Sequence, residues 1–258
     1  MGIFYSRKNE MEVIDMNTLD EGMVAETGDI LLFEGNSAFG IFEEIMTKSP
    51  YSHVAMFVRD PTTNALYVWE SSNADNNKDE LSGMKKEGPR LIKARNKIEE
   101  YLQLYGNGVI YRKLIKPKGT KVFSAEQWSY LKKFMEKEVP KTFEKYIYTM
   151  GESYTHRLLF PRIQDLSSVF CSEEIANTWI WAGVPLYRRP DQHCPQDFSE
   201  KQQNLFDYQG DPLETAGWGL SQEFNIKLKD PQIIIMQYNP ILKKKIEQGE
   251  TVLIPWVY

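Results

Sequence analysis

The chain is expected to fold as an α+β protein, with antiparallel strands packed on a helix, on three observations. Ile30-Leu31-Leu32-Phe33 is a continuous apolar run of strand length, residues 52–70 read as two apolar strands around a turn cluster, and residues 171–182 place Cys171, Ile175, Trp179 and Ala182 on one helical stripe. The 258 residues are 41% hydrophobic, ample for a packed core.

Taken in order, residues 10–27 read as an irregular arm before Gly28-Asp29 opens the strand at 30–33. Residues 37–48 carry Ile41, Phe42, Ile45 and Met46 at helical spacing, closed by Pro50. Residues 52–58 then read as a strand with His53, Ala55 and Phe57 on one face. Asp60-Pro61-Thr62-Thr63-Asn64 is turn chemistry, and residues 66–70 return as the second strand of a hairpin. Residues 72–90 are too polar to pack and read as a surface excursion, a candidate lid or docking loop. Order returns with a helix over about 94–105 and a strand over 109–114. Ser124-Ala125-Glu126-Gln127 has the form of a capping box ahead of Trp128, Leu131, Phe134 and Met135, so a further helix runs to about Val139, before Pro140.

For the helix at 171–182, Ser167 or Ser168 is the expected N-cap, Glu173 and Glu174 suit the positive end of its dipole, and Gly183 is the expected C′ residue. Beyond about residue 200 the chain forms an extension. Residues 207–218 are loop-like, and strands at 233–235 and 252–254 are joined through a helix containing Lys243-Lys244-Lys245. The organisation expected is an arm over 1–27, a main domain over 28–200 and an extension over 201–258 packed on it.

A net charge of −5 without a long Lys/Arg stripe lacks the electrostatic footprint of nucleic-acid binding, so nucleic acid is not an expected partner. Two cysteines in so long a chain fit a reducing compartment. No stretch approaches 18 apolar residues and no secretory signal is recognisable. Met1-Gly2-Ile3-Phe4-Tyr5-Ser6 matches the pattern for N-myristoylation of Gly2, which gives weak, reversible membrane binding. The expectation is a cytoplasmic protein of a eukaryotic or virus-infected cell, associated peripherally with a membrane or virion.

Cys171 in the first turn of its helix has its thiolate favoured by the dipole and by backbone N–H groups, which can also donate to an oxyanion. Taken alone, such a cysteine reads first as a small buried hydrophobe. Two further residues shift the balance. His53 near the start of one hairpin strand and Glu70 near the end of the other lie side by side across the turn, so the carboxylate can hold the imidazole in one tautomer for drawing a proton from Cys171.

The segments Gly28–Phe33 (GDILLF), Ser52–Val58 (SHVAMFV), Tyr67–Ser71 (YVWES), Phe170–Ala176 (FCSEEIA) and Cys194–Phe198 (CPQDF) together resemble the circularly permuted NlpC/P60 group of papain-like proteins, in its YiiX-like branch with poxvirus relatives. In that group the His strand precedes the Cys helix, as here. The resemblance covers about residues 28–198 and implies a permuted papain-like fold, with Cys171 as nucleophile, His53 as general base and Glu70 as the orienting residue. It further implies hydrolase or acyltransferase chemistry on amide or ester bonds of a peptide or lipid, without metal or organic cofactor. His156, His193 and Cys194 lack the close pairing usual for zinc ligands. The alternative is a catalytically silent tethering protein of a membrane or virion.

Overall fold

A computed structural model describes residues 11–34, 50–73, 76–105, 108–143, 168–200, 205–206 and 217–228. The expected helix at 37–48, His156, the strands at 233–235 and 252–254, the Lys243–Lys245 helix and Gly2 lie outside them.

The strands are β1 (Val13–Asp15), β2 (Ile30–Glu34), β3 (Tyr51–Arg59), β4 (Leu66–Ser72), β5 (Gly88–Lys93), β6 (Val109–Arg112), β7 (Leu114–Ile115), β8 (Thr142–Phe143), β9 (Ser168–Val169), β10 (Gly219–Leu220) and β11 (Phe224–Lys227). The helices are α1 (Met16–Asp20), α2 (Ala94–Tyr105), α3 (Trp128–Glu138) and α4 (Cys171–Ala182). Seven strands form one sheet in the order β1-β11-β6-β2-β3-β4-β5. Every neighbouring pair in it is antiparallel except β1 with β11, which is parallel. The fold is α+β with a mostly antiparallel sheet, as expected.

Both faces of the sheet are covered, and strand alternation sorts the side chains. On one face Leu31, Phe33, Ala55, Phe57 and Val68 pack with Ala94 and Ile98 of α2 and with α1. On the other, Ile30, Leu32, Val54, Met56, Val58 and Trp69 pack with Ile175 and Trp179 of α4 and with Leu131 and Met135 of α3. Burial on both sides explains why β2 is a continuous apolar run instead of an alternating one.

Several local expectations are corrected. The arm at 10–27 is not irregular: it holds β1 and α1, with Asp15 accepting the Asn17 N–H at 2.8 Å as N-cap. Residues from the arm and from the extension beyond 200 meet as β1 and β11 in the main sheet. The strand expected at 109–114 breaks at Lys113 into β6 and β7, whose partners differ. Ser124 makes no side-chain cap bond. Instead a 3-10 turn at Ala125–Gln127 precedes α3, and Gln127 Oε1 accepts the N–H of Phe123 at 2.9 Å.

The described residues between Ser72 and Gly88 lie at the surface as expected, except Asp79, but the expected excursion over 72–90 is shorter and anchored. Ser72 ends β4, β5 begins at Gly88, and Asp79 is fully buried, its carboxylate accepting the N–H groups of Leu91 and Ser82 at 2.8 Å each. Polar residues pack here because the Asp79 side chain meets backbone donors that burial would otherwise leave unpaired.

Candidate functional site

The β3–β4 hairpin closes as its composition demands. Asp60 Oδ1 accepts the N–H of Thr62 at 2.7 Å and Asn64 takes a left-handed conformation, φ 60°. Continuing the register that sets Met56 opposite Trp69 puts Glu70 opposite the small Ala55 and diagonal to His53. The diagonal is bridged: His53 Nε2 lies 2.8 Å from Glu70 Oε2.

Glu70 is fully buried, and its other oxygen is crowded with donors. Oε1 accepts from Arg90 Nη2 at 2.8 Å and Nε at 3.1 Å, from Lys97 Nζ at 2.9 Å and from Ser72 Oγ at 2.8 Å. Burial pushes the carboxyl upward, but Lys97, the His53 hydrogen bond and Arg90 outweigh it and hold Glu70 well below the usual carboxylate range. For His53, burial lowers the pKa, opposed by Glu70 and reinforced by Lys97 and Arg90. The pair is therefore an ionised carboxylate and a neutral imidazole at pH 7. In that state Nε2–H donates to Glu70, and the basic lone pair sits on Nδ1.

Cys171 is the first residue of α4. The N-cap is Phe170, in extended conformation and with no side-chain cap bond, not Ser168, which lies in β9 beside β8; Ser167 is outside the described residues. The Phe170 side chain thus takes none of the first-turn N–H groups. Glu173 and Glu174 occupy the first turn, and Gly183 (φ 92°) ends the helix with its N–H on Ile180 and Trp179 carbonyls. The stripe Cys171, Ile175, Trp179 and Ala182 is buried as expected, with Cys171 at 7% exposure.

The structure brings His53 and Glu70 together, in the layer that α2 covers, where the His53 ring lies 5.3 Å from that of Phe33. Cys171 belongs to the layer on the other face, where α4 packs against β3 and β4 and Trp69 donates to Glu174 Oε1 at 3.2 Å and Thr178 Oγ1 at 3.1 Å.

Two participants were not read from the sequence. Arg90 and Lys97 reach Glu70 from β5 and α2; a basic residue in an otherwise apolar strand, as in Pro89-Arg90-Leu91-Ile92, is the signal that marks Arg90. Glu174, expected as a first-turn charge, is instead fully buried, with burial and then Glu138 pushing its carboxyl up to about 8 against Lys141 and the Trp69 hydrogen bond, so it is protonated at pH 7. Beside α4, Ser172 Oγ donates to the His193 carbonyl at 2.7 Å, which fastens the 190–198 loop to the start of the helix. Among the described residues no group of three or more His, Cys, Asp or Glu is placed to hold a metal.

No protein-family model and no curated protein matches the chain. The structure is similar to that of metalloprotein yiiX from Escherichia coli O157:H7, at 15% sequence identity and a TM-score of 0.40, over 80% of this chain and 99% of that one. Such a likeness adds nothing to the geometry above.

Proposed function

We propose that the chain is a permuted papain-like thiol hydrolase or acyltransferase acting on an amide or ester bond of a lipid or peptide. The observation that carries this reading is the pair of half-buried His53 and buried Glu70, in which an ionised carboxylate fixes Nε2–H and presents Nδ1 as base. Nδ1 takes the proton of Cys171; the thiolate attacks the acyl carbon, and first-turn N–H groups of α4 receive the oxyanion. The imidazolium, stabilised by Glu70, protonates the leaving amine or alcohol, and then removes a proton from water or an acceptor that cleaves the thioester. The first step requires the Cys171 sulfur and His53 Nδ1 to meet at the start of β3 from the two layers that the sheet separates.

One observation favours a second reading, a catalytically silent tethering protein. The His53 ring lies in the α2 layer and α4 on the opposite face, and Glu70 is held by Arg90 and Lys97 as in a buried ion cluster.

The test is the pH dependence of iodoacetamide alkylation at each cysteine, read by peptide mass spectrometry on the wild type and His53→Ala. The catalytic reading expects Cys171 to react well below pH ~8.5, the region of an ordinary thiol, and to lose that advantage in His53→Ala. Reaction at Cys171 no faster than at Cys194 at any pH overturns it in favour of tethering.

A further inference from the structure

The far end of α4 carries a surface that the candidate site does not use. Trp181 lies ten residues beyond Cys171, about 15 Å along the helix at 1.5 Å per residue. It stacks on Phe134 of α3 with ring centroids 4.8 Å apart, yet remains 43% exposed, and Tyr130, one turn earlier on α3, is 63% exposed. Beside them opens a cleft of about 420 Å³, lined among others by Trp128, Trp181, Phe123, Arg59 and Lys116. Its rim is basic. The segment following β6 supplies Lys113, Lys116, Lys118 and Lys121, and with Arg59 these set five cations against Asp20, Glu26, Asp60 and Glu126, Arg59 Nη1 standing 3.9 Å from Asp20 Oδ1. Lys113 and Lys116 share Glu26 at 3.3 and 3.6 Å, and Lys121 pairs with Glu126 at 3.0 Å. Asp60 serves the backbone of its own turn. Five cations against four carboxylates leave this face slightly positive on a chain whose net charge is −5, with Lys118 exposed at its edge.

We infer that the face formed by Tyr130 and Trp181 with Lys116, Lys118 and Lys121 docks on an anionic lipid surface. Charge complementarity selects the occupant. Indole and phenol side chains with an apolar body and a polar tip suit the boundary between hydrocarbon and headgroups, and lysines beside them find anionic headgroups within a Debye length, about 10 Å at 0.1 M salt. A protein partner of ordinary composition has no need of both together. The contact is made by the folded chain and does not require acylation of Gly2.

The experiment is vesicle co-sedimentation of the unacylated full chain, with phosphatidylcholine alone and with phosphatidylcholine mixed with phosphatidylserine. Binding is expected to the mixed vesicles only, falling as salt rises. The double variant Lys118→Glu/Lys121→Glu should bind at least about tenfold more weakly, since each lysine near such a surface contributes about fivefold. Trp181→Ala should weaken binding several-fold, and both variants should keep the wild-type circular dichroism spectrum. Equal binding to both vesicles, no binding to the mixed ones at low salt, or undiminished binding of the charge-reversed variant overturns the inference. Cysteine reactivity at Cys171 should be unchanged in these variants, so the result is independent of the catalytic reading.

Discussion

His53 Nε2 and Glu70 Oε2 lie 2.8 Å apart, with the carboxylate fully buried and its second oxygen bound to Arg90 and Lys97. The arrangement has consequences for reactivity and for stability that can be separated.

On reactivity, Cys171→Ala should abolish turnover of an identified acyl substrate while costing roughly 1 kcal/mol of stability, because little more than one buried sulfur is lost. Glu70→Gln should shift the pH profile of Cys171 alkylation upward, toward that of His53→Ala, because the imidazolium loses its counter-charge. Full activity in Cys171→Ala would falsify the nucleophile assignment.

On stability in acid, both groups point the same way. Glu70 has a folded pKa below its unfolded value near 4.5, so its contribution is complete above that value and is lost as pH falls through the folded pKa. His53, with a folded pKa below 6.5, likewise stabilises above 6.5 and loses that contribution as pH falls through its folded pKa. Because Glu174 and Asp29 shift the other way, the His53 contribution is read by difference: the stability of the wild type relative to His53→Ala should fall as pH drops from 7 through the folded pKa of His53. Glu70→Ala should cost about 3–5 kcal/mol at pH 7, since it leaves buried cations without their carboxylate.

Glu174 acts in the opposite sense. Its folded pKa is raised from 4.5 to about 8, so stability is fully present below 4.5 and is lost as pH rises through 8. Glu174→Gln keeps an acceptor for Trp69 Nε1–H and removes the ionisation. It should match the wild type near pH 4.5 and exceed it by roughly 2–4 kcal/mol at pH 9, as equilibrium urea unfolding at the two pH values will show.

Gly88 opens β5 with φ +87°, and a Cβ there would stand 2.4 Å from the Lys141 carbonyl oxygen. Gly88→Ala should cost about 3 kcal/mol, combining left-handed strain with a backbone clash. Gly83, with φ +71° and open space around it, should cost about 1 kcal/mol when replaced by Ala. Comparable thermal shifts for the two variants would show that the close approach of β5 to Lys141 is unimportant.

Much of the frame was legible from local pattern. The hairpin at 52–70, the helix at 94–105 and the buried stripe from Cys171 to Ala182 ending at Gly183 all follow from periodicity and turn chemistry, which depend only on near neighbours. The His53–Glu70 contact was legible for the same reason: one tight turn determines which residues of two adjoining strands meet. The cap was not, because Ser168 has the right chemistry for an N-cap but is taken into a strand beside Thr142.

By itself, the sequence determined which segments are strands and helices over most of the described chain, which faces are apolar, and which histidine and carboxylate share a hairpin. Only the tertiary structure decided that β1 pairs with β11 from more than two hundred residues away, that Arg90 and Lys97 converge on Glu70, and that α2 and α4 lie on opposite faces of the sheet. The physical reason is range. Side-chain periodicity and capping act over a few residues, whereas strand order and the choice of face are settled by burying both sides of one sheet at once, a condition that no single segment carries.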